Sequence, residues 1–186
     1  MSGQGSHQLK NTSQKLIQIK DGLLDPHEFT AVRDSLISED SLMPWYFSEG
    51  VDYGPEEKDF MFFHVFYESN QPTSDRYQNV LPVCRKLSIS NLSLHQIKAN
   101  IYTRTSTIEK HRFHSDFEPE NEAARHWMVG IFYLNSNDGY TEFENGEIVE
   151  SKANRLVVFP GYLSHRGTTC TDQKIRAVIN YRYYAW

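Results

Sequence analysis

The sequence predicts a mainly β (α+β) protein in which N-terminal helices brace an antiparallel, jelly-roll-like barrel. From Leu92 onward, short apolar or alternating segments recur between turn residues, which is typical of a sandwich or barrel rather than of a parallel α/β sheet. Asn145-Gly146, between two alternating segments, predicts a two-residue hairpin because both central turn positions need positive φ. Helical periodicity occurs only before residue 92. The chain of 186 residues is long enough for one sizeable core.

Before residue 92 the sequence predicts two helices and two strands. Asp25 followed by Pro26 is a typical helix start, and it predicts a helix over 26–38. Apolar residues at helical spacing predict a second helix over 74–87, which Pro82 should bend. The helix at 26–38 is expected to bury Phe29, Val32 and Leu36. The predicted strands in this part are 16–19 and 60–67.

The barrel itself is predicted from eight strands after residue 92. They are 95–102, 113–117, 127–134, 140–143, 147–151, 155–159, 165–169 and 175–184. Residues 1–14 are polar and could not offset the entropy lost on ordering, so we expect a flexible tail. The rest is expected to form a single domain over 15–186, with a helical and strand buttress at 15–91 and the barrel core at 92–186.

Composition excludes several classes of protein. The net charge of −5 argues against a nonspecific binder of polyanions. The longest nearly unbroken apolar run, 127–134, is far shorter than the roughly 20 residues of a membrane-spanning helix. Cys84 and Cys170 are too few for a disulfide framework and lack metal-binding spacing, and no secretory signal is recognisable. We therefore expect a cytoplasmic protein that does not bind membranes. We also expect it to be monomeric or to associate only weakly.

The segment His114-Ser115-Asp116 stands out among the histidine-containing segments. Residues two apart on a strand point to the same face, so this imidazole and this carboxylate can bind one ion. His165, 49 residues after Asp116 and just beyond a turn-rich segment, is the natural third ligand. Two imidazoles and one carboxylate leave adjacent positions open, the arrangement that non-haem Fe(II) uses to bind a co-substrate and O2 together. These residues predict a metal site for oxygen chemistry.

Arg176 extends this candidate site. It lies 11 residues after His165 on the last long strand, and it shares its alternating face with Val178. An inward guanidinium is costly unless an anion meets it, and no Asp or Glu on that strand does so. A bound dicarboxylate would. On the same strand argument, His111 should face away from His114, and we expect it at the rim of the site.

These residues together resemble the Fe(II)- and 2-oxoglutarate-dependent dioxygenases, especially the prolyl-hydroxylase-like branch. The matching positions are Tyr102, His114-x-Asp116, Tyr133-Leu134-Asn135, Phe159-Pro160, His165 and Arg176, and they span about half of the chain. The resemblance implies a double-stranded β-helix, a cupin-like barrel, in which His114, Asp116 and His165 bind Fe(II) and 2-oxoglutarate chelates the metal. It implies that Arg176 holds the distal carboxylate, that Tyr133 hydrogen-bonds it, and that Tyr102 lines the same pocket.

The resemblance also implies an activity. The enzyme would hydroxylate a substrate with O2 while 2-oxoglutarate is oxidatively decarboxylated to succinate and CO2. The substrate expected is a prolyl or other side chain of a protein or peptide. Residues 45–59, which include Trp45, Tyr46 and Phe47, form either a substrate lid or a hydrophobic buttress, and the sequence does not separate the two.

Two alternatives remain open. Asn100-Ile101-Tyr102 with Arg176 and Arg182 also resembles the pattern of AlkB-type nucleic-acid demethylases, in which Arg182 would help to hold 2-oxoglutarate. The short spacing from His165 to Arg176 and the acidic net charge make nucleic acid the less favoured substrate. The second alternative is a barrel that serves as a non-catalytic binding module, with the same polar residues in ordinary or structural-metal roles.

Overall fold

A computed structural model describes residues 16–51, 59–89, 93–118 and 123–185. The predicted tail, 1–14, and residues 52–58 of the possible lid lie outside these ranges. The helices are α1 (Pro26–Ile37), α2 (Tyr77–Lys86) and a short 3-10 helix (Ala123–His126). The strands are β1 (Gln18–Asp21), β2 (Tyr46–Ser48), β3 (Met61–Glu68), β4 (Gln71–Pro72), β5 (Leu94–Thr103), β6 (Trp127–Tyr133), β7 (Tyr140–Phe143), β8 (Ile148–Glu150), β9 (Arg155–Pro160), β10 (His165–Gly167) and β11 (Ile175–Tyr184).

Eight strands form one large antiparallel sheet, the major sheet. Its strand order is β1-β9-β6-β11-β5-β3-β2, and β4 pairs with β3 at the side. In the centre, β11 pairs Arg176 with Tyr102 of β5 and Val178 with Tyr133 of β6. Because directly paired residues share a face, three predicted site residues lie on one face of three neighbouring strands.

The minor sheet has the order β10-β7-β8, and the chain around His114 lies beside it. The prediction of a strand over 113–117 is wrong, because the β-pairing of this segment is limited to the isolated bridge His114↔His165. A second isolated bridge, Lys110↔Thr168, lies just before it. Beyond the bridge at His114, the backbone N–H groups of Asp116 and Phe117 both donate to the carbonyl oxygen of Gly161. This turns the chain away from a regular ladder.

The two sheets enclose an apolar interior, and the helices cover the outer face of the major sheet. The interior cluster consists of Ile17, Met61, Tyr102, Val129, Ile131, Tyr133, Phe143, Val149, Val157, Phe159 and Val178. A second cluster lies between the helices and the sheet and includes Phe29, Val32 and Leu36 of α1, as predicted. This layering is the predicted double-sheet barrel with its helical buttress.

The two helices begin for different local reasons. The Asp25 side chain caps α1 by accepting hydrogen bonds from the backbone N–H groups of His27 and Glu28. Pro26 occupies the first turn of the helix. The helix predicted from residue 74 begins instead at Tyr77. The hydroxyl of Ser74 accepts a hydrogen bond from the backbone N–H of Arg76, which holds the preceding turn outside the helix.

Strands from both parts of the predicted division build the major sheet. Of the strands in 15–91, β1 pairs with β9 and β3 pairs with β5. The short strands β2 and β4, which pair with β3, were not predicted. Within the described ranges, no helix is long and apolar enough to cross a membrane.

Candidate functional site

His114, Asp116 and His165 meet in one pocket between the two sheets. Each offers one ligand atom, and these atoms lie within 4.8 Å of one another. The bridge between His114 and His165 sets the two residues opposite each other, with their ring centroids 4.6 Å apart. Asp116 Oδ2 lies 3.6 Å from His165 Nε2. The three predicted ligands are therefore brought together, although the segment that carries two of them is not a strand.

The surroundings of His165 prepare its ring to act as a ligand. Its Nδ1 lies 3.0 Å from the carbonyl oxygen of Leu163, which can only accept, so Nδ1–H donates and Nε2 carries the lone pair. Burial lowers the pKa of His165 to about 4, against the opposing effect of the Asp116 charge. The imidazole is therefore neutral at neutral pH, the state in which it binds metals.

Asp116 is held by a second group from the major sheet. Its side chain is almost fully buried, and Nη2 of Arg182 donates a hydrogen bond to Oδ1. Burying a carboxylate is costly unless a cation pairs with it, and Arg182 supplies that charge. Oδ1 is thereby occupied, while Oδ2 faces His165. Arg182, which the demethylase pattern associated with the co-substrate, lines this pocket with its guanidinium on Asp116.

Arg176 lies deeper in the same pocket, and only 2% of it is exposed. Its Nε donates to Ser151 Oγ at 2.9 Å and its Nη2 donates to Thr141 Oγ1 at 3.1 Å. The guanidinium carbon lies 5.4 Å from the ring centre of Tyr102 and 5.7 Å from that of Tyr133. No Asp or Glu in the part of the chain that the structure describes lies within 4.0 Å of its nitrogens. Hydroxyls and rings hold this cation but do not neutralise it.

The two predicted tyrosines lie beside Arg176. Tyr133 is fully buried and donates its hydroxyl hydrogen bond to Thr141 Oγ1 at 2.8 Å. Burial raises the pKa of Tyr133, so the phenol stays protonated and able to donate. Tyr102 lines the pocket, and its hydroxyl accepts a hydrogen bond from Asn100 Nδ2 at 3.4 Å.

Sequence reasoning missed three residues around Arg176. Thr141 and Ser151 supply the hydroxyls that hold the guanidinium. Gly167 leaves room beside it, since an added Cβ would lie 3.3 Å from Nη1 of Arg176. Thr141 could have been found, because it alternates with Phe143 on the inward face of β7 and is a polar residue at an apolar position.

His111 is not at the rim. It is 2% exposed, its ring centre lies 5.0 Å from that of Tyr102, and its Nδ1 lies 3.0 Å from Asp59 Oδ2. The rim prediction rested on strand alternation from His114, and this irregular segment does not follow that alternation.

The groups that line the pocket suit a metal ion and a carboxylate at the same time. Two imidazole nitrogens and a carboxylate oxygen are a typical set for a divalent first-row transition metal with open positions. A buried guanidinium with two hydroxyls beside it suits a carboxylate. Because both groups line one pocket, a small carboxylate could contact the metal and Arg176 together.

This chain resembles known proteins in its structure and not in its sequence. No protein-family model matches the sequence. No curated protein sequence matches it either. Solved structures do match, and one is the viral collagen prolyl hydroxylase of Paramecium Bursaria Chlorella virus-1 in its 2-oxoglutarate complex. The identity is 12%, 92% of this chain and 97% of that chain are covered, and the TM-score is 0.58.

Two further matches cover nearly the same share of this chain. A prolyl hydroxylase of Trichoplax adhaerens, in complex with a peptide fragment of hypoxia inducible factor, is 12% identical, with 91% and 83% of the two chains covered and a TM-score of 0.63. SnoN, an alpha-ketoglutarate-dependent epimerase of nogalamycin biosynthesis, is 12% identical, with 91% and 76% covered and a TM-score of 0.60. At these identities the likeness establishes the fold, which is the jelly-roll barrel of the 2-oxoglutarate- and Fe(II)-dependent oxygenases.

Proposed function

We propose that this chain is an Fe(II)- and 2-oxoglutarate-dependent oxygenase that hydroxylates a prolyl or other side chain of a protein or peptide. One observation carries the proposal: the pocket combines the cluster of His114, Asp116 and His165 with the buried Arg176, which no Asp or Glu among the described residues neutralises. A His/Asp/His cluster alone would also suit a structural metal, and a buried arginine alone would suit many anions. Together they fit a metal and a dicarboxylate bound side by side.

Each residue has a defined part in this proposal. His114, Asp116 and His165 would hold Fe(II), and Arg176 would bind the distal carboxylate of 2-oxoglutarate with Tyr133 and Thr141 beside it. When bound, Fe(II) and 2-oxoglutarate supply the oxidising chemistry, in which 2-oxoglutarate, O2 and a substrate C–H become succinate, CO2 and C–OH. The chain itself binds, orients and neutralises these groups. Burial of Arg176 strengthens its attraction for a carboxylate because few waters compete there.

The substrate class is supported by other observations than the reaction class. Two structural neighbours are prolyl hydroxylases, and one of them was solved with a peptide. The epimerase SnoN has the same fold, so the fold alone does not select a reaction. The net charge of −5 favours a peptide over a nucleic acid.

Succinate formation tests the proposal. The protein is incubated with Fe(II), O2 and 2-oxoglutarate, with a pool of proline-containing peptides in one arm and a methylated oligonucleotide in the other. We expect the peptides to raise succinate formation. Arg176→Ala should raise the KM for 2-oxoglutarate by about tenfold or more, because a charged hydrogen bond is lost. Arg33→Ala, which removes a half-exposed guanidinium paired with Asp34 on α1, is the matched control and should behave like the parent.

The other outcomes identify the alternatives. Stimulation by the oligonucleotide, with release of formaldehyde, would replace the peptide hydroxylase with a demethylase. Metal binding without succinate formation in either arm would contradict the oxygenase and favour the binding module.

A further inference from the structure

His111 is a buried histidine that the proposed mechanism does not use. Only 2% of it is exposed, and its backbone N–H donates a hydrogen bond of 3.1 Å to the carbonyl oxygen of Gly167 on β10. It is not among the described residues that line the pocket, although Gly167 and Tyr102, which it contacts, do line it. A buried imidazole must find partners for its polar atoms, whereas an apolar ring would pack there without this cost. The histidine therefore needs an explanation other than packing.

Asp59 fixes the orientation of the His111 ring. Nδ1 of His111 lies 3.0 Å from Oδ2 of Asp59, and a carboxylate oxygen only accepts, so Nδ1–H donates. Asp59 precedes His111 by 52 residues and lies in the chain that leads into β3. Its side chain is 31% exposed, so water still solvates part of the carboxylate while the imidazole is buried. The pair ties the start of β3 to the segment that leads to His114.

The oriented ring packs against the wall of the pocket beside Arg176. The ring centres of His111 and Tyr102 are 5.0 Å apart, with an angle of 33° between the ring planes. On the pocket side, the guanidinium carbon of Arg176 lies 5.4 Å from the ring centre of Tyr102. Tyr102 is thus in contact both with His111 and with the cation that suits a distal carboxylate. A shift of the His111 ring would leave Tyr102 without this support.

Gly167 shows how closely these groups meet. A Cβ added to this residue would lie 3.3 Å from Nη1 of Arg176, 3.7 Å from Cδ2 of His111 and 4.0 Å from the hydroxyl oxygen of Tyr102. All three side chains therefore border the space beside Gly167 at the Arg176 end of the pocket. Because protein interiors are close-packed, removing one of these side chains changes the room that a ligand has there.

We propose that His111, held by Asp59, is a positioning residue for the co-substrate: it keeps Tyr102 against Arg176 and so sets the length of the dicarboxylate that the pocket accepts. This rests on the proposed function and adds to it a determinant of co-substrate selectivity that lies outside the pocket lining. His111 acts through Tyr102 and is not a catalytic residue. Asp59 acts by orienting the ring, because its negative charge by itself repels a dianion.

The experiment measures the affinity of the Fe(II)-loaded protein for two dicarboxylates by anaerobic visible absorption. The probes are 2-oxoglutarate and 2-oxoadipate, which is longer by a single methylene. We expect His111→Ala to weaken 2-oxoglutarate binding by about tenfold, because Tyr102 loses its support. The affinity for 2-oxoadipate should fall by less than about threefold, because the wall can move back and admit the extra methylene. The affinity for Fe(II), titrated in the same samples, should match that of the parent.

Variants of Asp59 separate orientation from charge without opening a hole in the core. Asp59→Asn removes the charge but keeps an oxygen that accepts from Nδ1–H, whereas Asp59→Ala removes both. We expect Asp59→Ala to weaken 2-oxoglutarate binding by about fivefold, the effect of losing one hydrogen bond. Asp59→Asn should bind like the parent. Combining His111→Ala with Asp59→Ala should cost no more affinity than His111→Ala alone, because both changes act through one ring.

His64→Ala is the matched control. His64 is also buried, with 5% exposed, and its Nδ1 lies 2.8 Å from the carbonyl oxygen of Pro44. It is not among the described residues that line the pocket. We expect this variant to lose stability in urea unfolding, as His111→Ala does, but to keep the parent's ratio of affinities for the two dicarboxylates.

The remaining outcomes are decisive. An unchanged affinity ratio in His111→Ala, or the same change of ratio in His64→Ala, would overturn this inference, while the proposed function would stand. Tighter 2-oxoglutarate binding in both Asp59 variants would show that Asp59 acts by its charge, and it would also overturn the inference. If His111→Ala does not fold, the Asp59 variants decide alone, and equal affinities of Asp59→Ala and the parent would overturn it. A parent protein whose visible spectrum does not respond to 2-oxoglutarate would overturn the proposed function, and this inference with it.

Discussion

At the scale of single residues, the hydrogen bond from Arg182 decides how Asp116 can meet a metal. Oδ1 is occupied by the guanidinium, and only Oδ2 faces His165. Arg182→Leu frees the carboxylate to rotate and leaves its buried charge unpaired. We expect Fe(II) affinity to fall by about 10- to 100-fold, the usual effect of losing a group that orients a metal ligand. Arg182→Lys should recover part of the loss, and an anaerobic metal titration measures both. Unchanged affinity in Arg182→Leu would show that Asp116 needs no such support.

Gly161 positions the same ligand through the backbone. Its carbonyl oxygen accepts from the N–H groups of Asp116 and Phe117, and an added Cβ would lie 2.5 Å from the Phe117 ring. In Gly161→Ala the Phe117 ring or the backbone must therefore shift, and we expect the free energy of unfolding to fall by about 1–3 kcal/mol. Metal binding should also weaken, because the same backbone positions Asp116. Gly130→Ala on β6 is the matched control, since its Cβ would make only ordinary contacts of 3.5 Å or more. Urea unfolding checks both variants. Equal stability of the two would contradict this explanation.

The candidate site could be predicted from the sequence only where residue type and order were informative. The ligands and Arg176 form an ordered set of chemically specific residues in the last two fifths of the chain. Thr141 and Ser151 are common polar residues, and their importance comes from hydrogen bonds to Arg176, which lies 35 and 25 residues further along the sequence. Only the folded chain shows which buried oxygens are paired and which are not.

At the scale of secondary structure elements, the irregular segment before Phe117 explains why one prediction failed and another succeeded. The strand expected over 113–117 does not form, because the backbone bonds shift from β10 to Gly161. The single bridge between His114 and His165 is nevertheless enough to bring the ligands together. The other seven barrel strands were predicted because their alternation and turn residues reflect burial in a sheet.

The edge strand β1 gives a prediction about pH. Asp21 at its end accepts hydrogen bonds from Arg155 at 2.6 Å and Lys152 at 2.8 Å, and these hold the pKa of Asp21 well below its usual value of 3.8. Since the folded pKa is the lower one, the stabilisation is fully present above about pH 4 and is lost as the pH falls further. Asp21 is more than one-third exposed, so we expect Asp21→Asn to lower the free energy of unfolding by at most about 1 kcal/mol at pH 7. This difference should shrink below pH 4 in urea unfolding, and a difference that stays constant with pH would contradict the explanation.

At the scale of the whole molecule, the division into a buttress and a barrel does not mark two independent units. The first half supplies β1 and β3 to the major sheet, and α1 and α2 cover its outer face. The fold class was predictable because it depends on broad patterning, whereas the sheet order was not, because sequence periodicity does not identify pairing partners.

This continuity predicts the behaviour of a fragment. Residues 92–186 alone would expose the apolar face that the helices cover and would leave β5 without β3. We expect this fragment to lack a cooperative thermal transition by circular dichroism, while the full chain shows one. A cooperative transition in the fragment would show that the barrel folds without its buttress.

The central claim is that one pocket binds Fe(II) and 2-oxoglutarate together. The most direct test is an anaerobic titration of the protein with Fe(II) and then with 2-oxoglutarate, followed by visible absorption, with His165→Ala as the control. Our account predicts a charge-transfer band that appears in the parent only after both additions and is absent in the variant. A folded parent that binds the metal but shows no band with 2-oxoglutarate would contradict it.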